Sequence, residues 1–152
     1  TLESTRPLPL PTIYSDAKIS SSSPNKSMSS VNDGFWPANS NDRKVPFYTL
    51  WPKNNSEEWV VYDLEKEQTI TSARVFWYDD GPWGGCRIPL SWGVQYKNHK
   101  GEWVDVKAKS PAKPEKDVAN KIEFEPITTK SVRLHFVLPE KESTGIYEFE
   151  VK

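Results

Sequence analysis

Seven short runs of β-branched and aromatic residues, set apart by turn-forming clusters, limit what this chain can fold into more than any other feature of it. They lie at 58–63, 70–78, 91–97, 102–106, 120–125, 131–138 and 145–151. Runs of that length and spacing predict an all-β sandwich. In the run at 131–138, Val132, Leu134, Phe136 and Leu138 alternate with Arg133 and His135, which places one face in a core and the other towards solvent. Asn98-His99-Lys100-Gly101 separates two runs at hairpin distance, with Gly101 suited to a positive φ. No segment longer than a turn or two repeats at helical spacing.

The 152 residues fit one domain, and a domain of that size buries roughly 68–70% of the surface its unfolded chain exposes. A formal net charge of -1 gives no field to draw the chain onto nucleic acid or anionic lipid. A single cysteine, Cys86, excludes an internal disulfide and leaves too little sulfur for a zinc or iron–sulfur site. No apolar run approaches the roughly 20 residues that span a bilayer, so membrane insertion is not expected. Residues 1–11, with prolines at 7, 9 and 11, read as an extended linker, and residues 12–152 as the domain. A chain opening at Thr1 reads as a piece of something longer. Residues 19–30 are serine-rich and run into Asn32-Asp33-Gly34, strong turn chemistry.

Two loops carry the chemistry. The segment Asp79–Pro89 joins two predicted strands and is shaped by Gly81, Gly84, Gly85, Pro82 and Pro89. A sugar presents an apolar C–H face and a rim of hydroxyls, which an aromatic platform and charged or amide groups can hold. Trp83 is a candidate platform, with Arg87, Asp79 and Asp80 as candidate grips. On the other reading Trp83 covers the sandwich end and an Arg87–Asp pair pins the loop. The second loop, Phe35–Pro52, brings Trp36, Asp42, Arg43 and Trp51, with Trp51 a second candidate platform or a cap on the core. Trp59, Trp77, Trp92 and Trp103 fall inside strand runs and belong to the core or its edge. Catalysis has little support. Adjacent Asp79 and Asp80 point apart on an extended strand end, whereas glycoside hydrolysis needs two carboxyls facing one bond. His99 and His135 have no nucleophile context, and Cys86 reads as packing.

In order along the chain stand Val31-Asn32-Asp33-Gly34, Glu58-Trp59-Val60-Val61-Tyr62-Asp63-Leu64, Ile70–Val75, Trp92-Gly93-Val94-Gln95-Tyr96 with Glu102–Val106, Val132-Arg133-Leu134, and Gly145–Val151. This series resembles the discoidin family, the coagulation factor 5/8 type C domains, over about residues 12–152. The stretches 39–52 and 79–87 look like versions attached to secreted bacterial glycosidases. The resemblance implies an antiparallel jelly-roll β-sandwich of the galactose-binding-domain-like kind, with the loops at 35–52 and 79–89 forming one glycan pocket. It also implies a non-catalytic module on a parent glycosidase catalytic domain, in the periplasm or at the cell exterior of a bacterium. The alternative is a domain that packs against that enzyme without holding sugar. Many such domains hold a structural calcium, and the matching positions here are Asp33 and Glu148, with Ser30 as a carbonyl donor and Ser40 as the hydroxyl partner. Ser40 follows Asp33 at a longer interval than the family pattern has.

Overall fold

A computed structural model describes residues 8–152; the first seven residues of the predicted linker lie outside the described residues. The alternation in the sequence becomes strands β1 (Lys18–Ser21), β2 (Tyr48–Thr49), β3 (Glu57–Tyr78), β4 (Ser91–Lys97), β5 (Trp103–Asp105), β6 (Ala119–Val137) and β7 (Gly145–Val151). The runs at 58–63 and 70–78 are one strand, β3, and those at 120–125 and 131–138 merge in β6. Both long strands pair with each other from Glu57 opposite Val137 to Phe76 opposite Ala119. The register slips between Asp63 and Gln68 and again between Ile70 and Ser72. Such irregularities let a strand bend from one layer of a sandwich into the other.

On the stretch of β3 and β6 before that bend lie β1 along β3 and β4 along β6, with β5 outside β4. Beyond the bend, β7 runs antiparallel to β3 and carries β2 on its far edge. All pairings named are antiparallel, and the strand order is β2-β7-β3-β6-β4-β5 with β1 on β3. The inward residues close one core, where Tyr62, Trp77, Phe124, Phe136 and Phe149 are buried. Trp77 meets Trp92 and Phe136 edge-on, with centroids 6.1 and 5.4 Å apart. Outward Arg133 and His135 are half-buried beside fully buried Val132, Leu134 and Phe136, as the period of two requires. Trp59 and Trp103 sit half-buried at the edge, and Trp103 lies under the Arg133 guanidinium at 4.4 Å.

The serine-rich stretch is ordered. It supplies β1 and a 3-10 turn, Lys26–Asn32, capped by the Asn25 side chain accepting from the Ser27 amide. Its hydroxyls satisfy polar groups that burial would otherwise strand. Ser22 and Ser23 donate to Glu58 at 2.7 and 2.9 Å, and Ser56 donates from the other side. Burial works against the charge on Glu58, but these hydroxyls and Lys53 outweigh it and hold the carboxyl below its ordinary range. The predicted hairpin turn is present, with Gly101 at φ 79 and its amide donating to the Asn98 carbonyl.

Candidate functional site

The loop after β3 is held by its own polar groups and by backbone bonds to Ser40 and Ser143. Asp79 is buried. Its carboxylate accepts from the amides of Gly81 at 3.0 Å and Ile88 at 2.9 Å. Asp80 accepts from the Cys86 amide at 2.8 Å and the Tyr78 hydroxyl at 3.1 Å. The Arg87 guanidinium donates to the carbonyls of Gly84 and Cys86 at 2.7 and 2.8 Å and more weakly to Pro82. It stands 3.9 Å from Asp80. Of the two readings, ligand grip or pinned loop, the bonds present are those of a pinned loop for Asp79, Asp80 and Arg87. Their lone pairs and N–H groups face the loop backbone, where they fix its shape.

That leaves the tryptophans. Trp83 is 92% exposed and Trp51 is 65% exposed, the two most open aromatic side chains among the described residues. A Cβ built on Gly85 would come within 2.6 Å of the Trp51 indole nitrogen, so only glycine lets this ring approach the loop. Trp51 and Trp83 are thus brought to the same loop, one resting on Gly85 and one projecting two residues before it. A side chain at Gly84 would likewise collide with the Asp80 carboxylate.

The 35–52 loop reaches the same end. The Ser40 carbonyl accepts from the Asp79 amide at 2.8 Å. Asp42 accepts from the amides of Ala38 and Lys44, each at 2.8 Å, so it too shapes its own loop. Arg43 is exposed and lies over the Tyr78 and Phe47 rings at 5.6 and 5.7 Å. Those rings stack on each other at 4.1 Å. Trp36 is half-buried under Arg74, 4.4 Å from the guanidinium, and serves the wall. A third loop, between β5 and β6, joins them unannounced by the sequence reading. The Asp117 carboxylate accepts from the Ser40 amide and the Asp117 amide donates to the Ser40 hydroxyl, both at 2.8 Å. Lys116 stands 3.5 Å from Asp79. The one available signal was Asp117 in a Lys-Asp turn, a residue type that tolerates its φ of 67. Cys86 is buried, and burial followed by the Asp80 and Asp79 charges pushes its thiol up to about 12, which fits packing and not reactivity.

At the opposite reach of the early turn, Asp33 and Glu148 do come together. Burial first, then the Asp33 carboxyl, pushes Glu148 up to about 9. The Tyr14 hydroxyl donates to Glu148 at 2.8 Å, and the Gly34 amide donates to both its oxygens at 3.0 Å. Ser30 turns away: its hydroxyl donates to the Ser27 carbonyl, and its carbonyl accepts from the Asp33 amide. Ser40 belongs to the loop end described above. Of the four expected calcium ligands two, Asp33 and Glu148, meet, and their carboxyl oxygens accept from the Phe35 and Gly34 amides and the Tyr14 hydroxyl. No group of three or more His, Cys, Asp or Glu residues suited to a metal occurs among the described residues.

A two-layer antiparallel sandwich that gathers three loops and two open tryptophans at one end is a galactose-binding-domain-like architecture. The chain belongs to the F5/F8 type C family in its NedA-like, galactose-binding form, whose profile matches residues 30–134. Its fold is similar to a structure from the Streptococcus pneumoniae beta-galactosidase BgaA at 20% identity, with a TM-score of 0.70 over 90% of this chain and 91% of that one. It is similar to the family 32 carbohydrate-binding module of Clostridium perfringens NanJ, solved with galactose, at 16% identity, TM-score 0.69, covering 91% and 96% of the two chains. It is also similar to chitosan-binding module 1 of a Paenibacillus chitosanase/glucanase at 19% identity, TM-score 0.66, covering 92% and 97%.

Proposed function

We propose that this domain is a non-catalytic carbohydrate-binding module that holds glycan at the loop end and keeps a parent glycosidase near its polymer. The observation that carries this reading is the pair of open tryptophans, Trp83 on a loop whose charged groups are already satisfied and Trp51 laid against that loop at Gly85. Exposed rings on a rigid backbone offer flat apolar platforms, and a sugar ring stacks on such a surface through its C–H face. Arg43, exposed over the Tyr78 and Phe47 rings, and Lys116, exposed beside Asp79, stand where they could also meet hydroxyls or a charged substituent. Membership of a galactose-binding family and likeness to modules solved with galactose and with chitotriose support the ligand class. Tethering raises the local concentration of an attached catalyst without new chemistry. Such a role places the domain outside the cell, beside the catalytic domain of a bacterial glycosidase.

A glycan array probed with the isolated domain tests this reading. Binding to galactosides or to chito-oligosaccharides, saturable on titration, is the expected result. A blank array together with a tight complex between this domain and its parent's catalytic domain would replace it with a purely structural role, since open tryptophans also suit a protein interface.

A further inference from the structure

We propose that this domain fastens its early turn to its last strand by direct hydrogen bonds among Tyr14, Gly34 and Glu148, and that calcium has no place between them. The inference is independent of which glycan is bound. Glu148 is fully buried in β7 and accepts from two donors, the Tyr14 hydroxyl on Oε2 and the Gly34 amide shared between Oε1 and Oε2. Each donor presents the positive end of its N–H or O–H to a lone pair that a coordinated cation would otherwise use.

Four other oxygens in and beside the turn are engaged as well. The Val31 carbonyl accepts from the Tyr62 hydroxyl at 2.9 Å, and the Asp33 carboxylate accepts from the Phe35 amide at 2.9 Å. The carbonyls of Tyr14 and Ser15 both accept from the Asn32 side chain at 3.1 Å. Nor can the Tyr14 hydroxyl easily swing aside to admit an ion. Its ring stacks on Tyr62 at 5.8 Å, and Tyr62 in turn stacks on Phe149 at 4.8 Å. Gly34, at φ 78, lies under Pro9, which a Cβ there would meet at 2.7 Å. Pro9 thus lies over the turn at Gly34, and an aromatic stack holds the Tyr14 ring. Tyr14 supplies from a side chain what a metal would supply by coordination: a bond between the segment entering the domain and the strand that ends it.

The test uses the whole chain. Thermal unfolding is followed in chelator and in millimolar calcium, and terbium, which takes excitation energy from nearby tyrosines, is titrated as a calcium probe. The expected result is the same Tm in chelator and in calcium, with no saturable terbium emission, since any ion that binds the folded form alone would raise Tm. Tyr14→Phe is expected to lower Tm by roughly 3–10 °C, because it leaves a buried carboxyl short of a donor. A saturable rise of Tm with calcium, removed by Glu148→Gln, would overturn the proposal, and so would a Tyr14→Phe variant as stable as the parent. Where Tyr14→Phe does not fold, the comparison of calcium with chelator on the parent chain still decides.

Discussion

Truncating Trp83 to alanine separates binding from folding more cleanly than any other single change in this domain. The side chain is 92% exposed, so its removal takes almost nothing from the core and unfolding free energy stays within about 0.5 kcal/mol of the parent. A sugar stacked on one face of the indole would cover about 100 Å² of it. At about 25 cal/mol per Å² that is roughly 2.5 kcal/mol of apolar burial lost with the ring. The corresponding weakening is about 60-fold in Kd, enough to turn a measurable module into a silent one. Isothermal titration with galactose, N-acetylgalactosaminyl-β-1,3-galactose and chitotriose reads the binding side, and a thermal melt of the same samples reads the fold. Unchanged affinity for a glycan that the parent binds would refute the platform assignment. A Tm several degrees lower would refute the claim that Trp83 has no structural duty.

Arg87 should behave in the opposite way. Replacing it with methionine removes donors to three backbone carbonyls and is expected to cost about 2–3 kcal/mol, seen as a Tm lower by roughly 4–10 °C, with any loss of binding following from the disordered loop. Lost binding at a parental Tm would instead place Arg87 in direct contact with sugar. In acid, the hydrogen bond from Arg74 holds Glu150 below its ordinary value of 4.5, and the serine hydroxyls do the same for Glu58 against the opposing effect of burial. Both groups have depressed values in the folded state, so their stabilisation is present above about pH 4.5 and is lost as pH falls through the folded values. Urea unfolding at successively lower pH should show that decline, and Glu150→Gln should flatten it; an unaltered slope in the variant would remove Glu150 from the account.

The all-β class was legible because strand geometry is local: a period of two in Val132, Leu134 and Phe136 fixes which face is buried whatever the strand pairs with. The hairpin at Gly101 and the core places of Trp77 and Trp92 were legible for the same reason, since residue type and spacing alone determine them. The seven runs equal the strands in number only because two divided strands, β3 and β6, offset the missed β1 and β2; in β3, Glu65, Lys66 and Glu67 look like a turn in isolation, whereas in the sandwich they mark only the bend. The serine-rich β1 was invisible, having no apolar alternation, and its order comes from pairing with β3 and from the Ser21–Tyr48 hydrogen bond, far away in sequence.

At the site, the residue types Trp, Arg and Asp showed that the two loops were the chemical part of the chain. Which of them face outward is a question of how donors and acceptors are allotted once the loops fold. Asp79, Asp80 and Arg87 are drawn inward because unpaired backbone amides and carbonyls in a tight loop need partners. Trp51 and Trp83 stay outside, Trp51 with its indole laid on the bare backbone of Gly85 and Trp83 two residues before it. The same holds for Tyr14, whose approach to Glu148 joins residues 134 apart and is written in no motif. Local patterning determined the strands and named the loops; contacts between distant residues, which hydrogen-bond geometry settles only in three dimensions, decided what those loops present to a ligand.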